Sequence, residues 1–193
     1  MTSQRLELMF TSAFETFLAF SKSRNYPPKF TPSYFYKTPK SVPFRYSPLI
    51  TAGILLGLGF GGLFDGILLH QILQWHHMLS SVRPATTVAE AELNMVWDGL
   101  FDATTYVLTL LGVIWLWHAG KREDVPWSSN TFFGSMLLGA GVFNVVEGLI
   151  DHQILGIHHV KPGPNQLAWD VGFLAIGAVL AIAGWILVQK DKV

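Results

Sequence analysis

Residues 64–78 read FDGILLHQILQWHHM, and residues 146–160 read VEGLIDHQILGIHHV. The stretches lie 82 residues apart and share seven of fifteen positions. Each closes a long apolar segment and each brings three histidines: His70, His76 and His77 in the first, His152, His158 and His159 in the second. Only His118, of seven histidines, lies outside them. Acidic side chains accompany them inside hydrophobic sequence. Ionisable groups at membrane depth are costly, and they mark function by default.

The repeat extends outward from these stretches. Gly57 and Gly59 match Gly139 and Gly141 at the same offset. After each His-His pair comes a short loop and then a segment opened by Asn, Trp and Asp. These are Asn94, Trp97 and Asp98 in one half, and Asn165, Trp169 and Asp170 in the other, where a shorter loop reduces the Trp-Asp offset to 72. The expected unit is a helical hairpin used twice, about 47–118 and about 131–189. Two crossings per unit give a parallel internal repeat, with both motif copies at one depth on one side.

Composition supports this class. Half of the residues are hydrophobic and 13% are charged, too few charges for an ordinary soluble domain. Four stretches reach the ~20 apolar residues that a bilayer demands: roughly 47–73, 95–118, 131–156 and 168–189. The expectation is an all-α integral membrane protein, a four-transmembrane-helix bundle made of two tandem helical hairpins, over 47–193. Residues 1–46 form an extension. Its first 20 residues carry an apolar face suited to lying on a membrane, and the Pro- and Lys-rich remainder reads as an extended interfacial tether.

Lacking cysteine, the chain has no disulfide, thiolate site or iron–sulfur cluster. Zero net charge gives no pointer to nucleic acid. Seven of the thirteen Lys and Arg residues fall in the first 45 positions, Lys121 and Arg122 lie between spans 2 and 3, and Lys190 and Lys192 close the chain. The positive-inside rule then puts both termini in the cytoplasm and the His-rich ends outward, in a plasma membrane. The bilayer is the expected partner, with a membrane-protein partner or a second copy beside it.

A helix turns about 100° per residue. With Asp65 at zero, His76 falls at about 20° and His70 at about 140°; with Glu147 at zero, His158, Asp151 and His152 fall at about 20°, 40° and 140°. Acids and histidines thus share one face in each copy, and lipid cannot solvate that face. Adjacent histidines point about 100° apart, so one of each pair is expected to cap or face water. Imidazole with carboxylate is the ligand set of Zn, Fe, Mn and Cu(II), and bundles build di-metal sites from such inward side chains. The candidate ligands are His70, His76, His77, His152, His158, His159, Asp65, Glu147, Asp151 and Asp170, holding one or two ions, with Fe, Cu and Zn not distinguished. Asp98, Asp102 and Tyr106 on span 2 are candidate acid/base groups. The tryptophans Trp75, Trp97, Trp127 and Trp169 read as an interfacial belt, and His118 as an ordinary helix-end residue.

The paired FDGxxLHQxLxxHH and EGxxxHQxLxxHH signatures on four apolar spans resemble a family of bacterial membrane proteins known only as a domain of unknown function. The resemblance covers about residues 48–189 and brings no reaction with it. The H-x5-HH spacing is also similar to the histidine boxes of membrane fatty-acid desaturases and hydroxylases, whose spacings are usually shorter and whose boxes face the cytoplasm. Three functions are consistent with the residues. One is a metal-dependent enzyme acting on a lipid or small apolar substrate. Another is copper or other metal handling, with delivery to a membrane oxidase, which Met78 and Met95 at the same rim would suit. The third is a haem-binding electron carrier with His70 and His152 as axial ligands.

Overall fold

The computed structural model describes residues 45–191. The N-terminal amphipathic segment and almost all of the tether expected over 1–46 lie outside them. The described residues are all-helical, with no strand among them. Helix α1 (Ser47–Phe64) runs straight on into a π-helical segment, Asp65–Ile72. Helix α2 is Val88–Gly120. Helix α3 (Ser129–Glu147) runs on into a second π-helical segment, Gly148–Ile154, and α4 is Gln166–Lys190. The four continuous helices are 26, 33, 26 and 25 residues long, apolar enough and long enough to cross a membrane.

Local chemistry sets the helix starts. Pro48 occupies the first turn of α1, where a missing N–H costs nothing. Thr87 accepts from the Glu90 amide, while the Glu90 carboxylate takes the hydroxyls of Thr86 and Thr87. This reciprocal cap starts α2 at Val88, earlier than the apolar pattern alone suggests. Ser128 accepts from the Thr131 amide at the start of α3. Asp191, just past α4, takes the hydroxyls of Ser128 and Thr131. Those donors, Ser128 first, hold its carboxyl below the usual carboxylate range and tie the end of α4 to the start of α3.

Small residues set the packing. A Cβ on Gly57 would run into the Met136 carbonyl, and one on Gly139 into the Ile54 carbonyl. Gly53 lies against Ser135 and Gly61 against Phe143. The residue numbers rise together, so α1 and α3 run parallel at backbone contact. Against α2 they run oppositely: Gly59 meets Thr109, Gly62 meets Thr105 and Gly66 meets Asp102. Helices α3 and α4 are likewise antiparallel, through Gly134 with Gly184 and Gly141 with Gly177. Helices α1 and α3 are thus the inner pair, with α2 on one and α4 on the other. Glycine at these crossings lets backbones approach where apolar burial gives no drive.

The outer faces are apolar: Phe60, Ile114, Trp115, Val179, Ile182 and Ile186 are among the exposed large side chains. Polar residues go inside. Asp65, His70, His76, Asn94, Asp98, Glu147, His152, His158 and Asp170 are all buried. Leu49, Ala119 and Val125 make a small apolar cluster with Leu116 and Phe132. This inversion is what a lipid solvent demands.

Candidate metal centre

The two motif copies do not remain regular helix. In both π segments the amide hydrogen bonds reach five residues back, ending with Leu73 N–H to the Leu68 carbonyl at 2.8 Å and Leu155 N–H to the Ile150 carbonyl at 2.8 Å. The chain then leaves the helix and turns back. Gln74 takes φ 49° and Gly156, its counterpart 82 residues on, takes φ 58°, a left-handed conformation that glycine adopts freely and glutamine at a cost. His76 and His77 therefore stand on an irregular segment beyond the helix, not on the helix face that a regular turn of about 100° per residue predicts. So do His158 and His159. Such π turns are frequent at functional sites.

The return splits each His-His pair by partner. His76 and His158 point inward. The ring Nδ1–H of His76 donates to the Val160 carbonyl at 2.8 Å, and that of His158 to the Met78 carbonyl at 3.1 Å. Each copy fastens to the backbone of the other. With Nδ1 so engaged, each Nε2 is turned to the interior, the arrangement by which an outer partner fixes the tautomer of a ligating imidazole. The two rings stack 4.7 Å apart with planes 5° from parallel. His70 lies edge-on to His76 at 4.5 Å, and His152 edge-on to His158 at 4.9 Å. All four imidazoles are at most 3% exposed.

His77 and His159 point outward onto carboxylates. His77 Nδ1 lies 2.7 Å from Asp98 Oδ2, and His159 Nδ1 lies 2.8 Å from Asp170 Oδ2. The other oxygen of each acid takes a loop amide, Met78 N–H at 2.8 Å or Val160 N–H at 3.0 Å. The same oxygens lie 3.2 Å from His70 Nδ1 and 3.6 Å from His152 Nδ1. Asp98 and Asp170 thus stand in equivalent places. Asn94 helps shape the first loop, accepting from the Leu79 amide and donating to the Arg83 carbonyl.

The deep carboxylates complete the cluster. Asp65 Oδ2 comes within 3.2 Å of His70 Nε2, and Glu147 Oε1 within 3.1 Å of His152 Nε2 and 2.8 Å of His158 Nε2. Only the last of these is directed as a hydrogen bond. Asp65 Oδ2, Glu147 Oε2, both nitrogens of His70 and of His152, and His76 Nε2 are buried without a hydrogen-bond partner. Donor atoms of His70, His76 and His158 lie within 4.8 Å of one another, as do those of Glu147, His152 and His158. A cation held at about 2 Å by each ligand needs its donors roughly 3–4 Å apart. Each of these two triads could hold a metal ion once its donors draw together.

The halves differ in two carboxylates. Asp102 on α2 packs over Gly66, with Oδ2 accepting from Gln71 at 3.2 Å and Oδ1 buried and unpartnered. Leu174 takes the matching place over Gly148. Asp151 is half-buried on the second π segment, where the first has buried Leu69. Tyr106 is exposed, as is His118 at the far end of α2. Two contacts escaped the sequence reading: Phe101 stacks on His70 and Phe173 lies against His152, both at 5.5 Å. Each follows its Trp-Asp pair by the same three residues, so the signal was a W-D-x-x-F repeat at offset 72.

No curated protein and no solved structure matches the chain. Residues 52–191 match the family described as "Predicted membrane protein (DUF2243)", a stretch that takes in all four helices almost entirely and every residue of the cluster. The protein belongs to that membrane-protein family.

Proposed function

We propose that the chain is an integral membrane metalloprotein that holds one or two transition-metal ions between two copies of one hairpin. The observation that carries this reading is the set of buried nitrogens and carboxylate oxygens that converge without hydrogen-bond partners. Each such group costs on the order of 1–3 kcal/mol or more, and a charged one more still. A divalent cation offsets that cost. His70, His76, His152 and His158 with Asp65 and Glu147 are the ligand set. Asp98 and Asp170 orient it from outside, each with its partner imidazole His77 or His159. Asp151 is a further carboxylate at the margin of the second half.

The parallel pairing of α1 with α3 and the duplicated contacts support the tandem-hairpin reading, with the repeat axis along the membrane normal. The Lys and Arg distribution supports cytoplasmic termini and an outward site in the plasma membrane. A metal-dependent reaction on a lipid or small apolar substrate would draw its acid/base group from Asp102, whose Oδ1 is unpartnered, with Asp98 and Tyr106 on the same helix. Metal handling is the second reading: Met78 lies beside the cluster in sequence and Met95 stands exposed on α2, and their thioethers are soft groups suited to copper. A haem between His70 and His152 is disfavoured, because the His76 and His158 rings, each within 6.3 Å of both, occupy the space its macrocycle needs.

Elemental analysis of protein purified from its native membrane tests the reading. Iron, zinc or copper retained at one or two ions per chain supports it, and protein free of transition metals, unable to take any up, overturns it. A dinuclear centre that survives chelator washing favours an enzyme; readily exchanged copper favours handling.

A further inference from the structure

We propose that the cluster seats one ion rather than two, because its halves share His158 and the Asp65 side chain is too short to complete a second site. The inference rests on the metal reading above and fixes how many ions that site holds.

A duplicated motif suggests two equivalent sites, one in each half. The donor atoms do not divide that way. Among the described residues, two triads have donors within 4.8 Å of one another: His70, His76 and His158, and Glu147, His152 and His158. His158 belongs to both. Its ring lies within 5.8 Å of each of the other three buried imidazoles. It has one nitrogen to give. A carbonyl only accepts, so the contact of His158 Nδ1 with the Met78 carbonyl at 3.1 Å fixes the proton on Nδ1. The lone pair is then on Nε2, and one lone pair binds one ion.

A single methylene separates the halves. Asp65 and Glu147 stand at matching positions, 82 residues apart. The longer Glu147 sets Oε1 3.1 Å from His152 Nε2 and 2.8 Å from His158 Nε2. Ligands about 2 Å from one ion stand roughly 3 Å from each other, so this oxygen spans two imidazoles at the spacing of a ligand shell. Asp65 Oδ2 comes within 3.2 Å of His70 Nε2, and among the described residues it joins no triad. His76 Nε2 is the counterpart of the His158 nitrogen that Glu147 meets, and it is buried without a partner. The first half therefore completes a triad only by borrowing His158. Once His158 is engaged, a second ion would find His70 and His76 without the third protein ligand that such sites use. Those two imidazoles instead turn to the ion that His158 holds, so donors from both halves converge on it.

The test is a metal count on the full chain in detergent. The chain is stripped by chelator and titrated with Zn²⁺ against a competing chelator, and bound ion per chain is measured by elemental analysis. Wild type should saturate at one ion. Asp65→Glu gives the first half the reach of the second and should raise the count to two. Loading with Cu²⁺ adds an independent reading by electron paramagnetic resonance: an isolated Cu²⁺ signal in wild type, and one broadened by a neighbouring ion in Asp65→Glu. Two ions of similar affinity in wild type, or a coupled Cu²⁺ pair there, overturn the inference and leave the metal reading standing. A folded Asp65→Glu chain that still stops at one ion overturns it too. If that variant does not fold, the wild-type count and Cu²⁺ signal decide. A wild-type chain that takes up neither ion overturns the metal reading and this inference together.

Discussion

The imidazoles of His76 and His158 lie face to face, 4.7 Å apart and 5° from parallel, each anchored by Nδ1 to the backbone of the other half. Two stacked rings at this distance tolerate little positive charge. Burial, and then the charges of His158 and His70, push the His76 ring down to about 3. An unfolded histidine titrates near ~6.5. Between those values the unfolded chain binds a proton that the folded chain refuses, so stability is retained above about pH 6.5 and lost as pH falls toward 3. At pH 5 the loss is about 2 kcal/mol. Chemical unfolding of the metal-free chain at pH 7.5 and pH 5 measures it. His76→Gln, which keeps a donor for the Val160 carbonyl, should show that much less acid sensitivity; an identical pH dependence would clear His76 of the effect.

His70 and His152 sit on the two π segments, buried with both ring nitrogens unpartnered. His70→Ala and His152→Ala should each lose most bound metal, whereas His118→Ala, changed at an exposed position on the far end of α2, should keep it. Metal content of the three purified variants is the measurement. Equal retention in all three would dismiss the ligand assignment.

Asp98 and Asp170 occupy matching places and should act alike. Replacing either by Asn keeps the shape but removes the charge that orients two imidazoles, and the expected loss of metal affinity is about 10–100-fold. Competition titration against a chelator reads this directly. A large effect from Asp98→Asn with none from Asp170→Asn would show that the two halves do not share one task.

The α1–α3 crossing leaves no room for a side chain at Gly57, where a Cβ would meet the Met136 carbonyl. Gly57→Ala should destabilise the fold by about 1–3 kcal/mol. Gly99→Ala has nothing within 4 Å and gains helix propensity, so it should be neutral or stabilising by up to ~1 kcal/mol. Denaturation in mixed micelles compares them, and similar midpoints would argue against tight packing at Gly57.

The four spans were legible because lipid imposes length and apolarity on any helix that crosses it. The glycine pairs were legible too, since Gly57 and Gly139 recur at the motif offset and helices in lipid approach through small residues. The inward placement of Asp65, His70, Glu147 and His152 followed from the cost of exposing them to lipid. What the sequence did not reveal was the change of winding at Asp65 and Gly148, because hydrophobic periodicity over seven or eight residues does not separate i+4 from i+5 bonding. The fold-back at Gln74 was hidden as well: glycine marks the turn at 156, but its counterpart is a glutamine. His76 thus reached the cluster by a loop, although a regular helix had been invoked to put it there. The carbonyl contacts of Val160 and Met78 were beyond reach, since main-chain acceptors carry no residue signature.

Those carbonyl contacts bear on how the molecule is made. When His76 leaves the ribosome, the peptide that will anchor its ring is still 84 residues from being synthesised. Neither imidazole of the central stack can be oriented until the last loop has formed. On the proposed metal reading, loading is therefore a late event in biogenesis, and a chain truncated before residue 160 would insert its first helices yet stay incompetent for it.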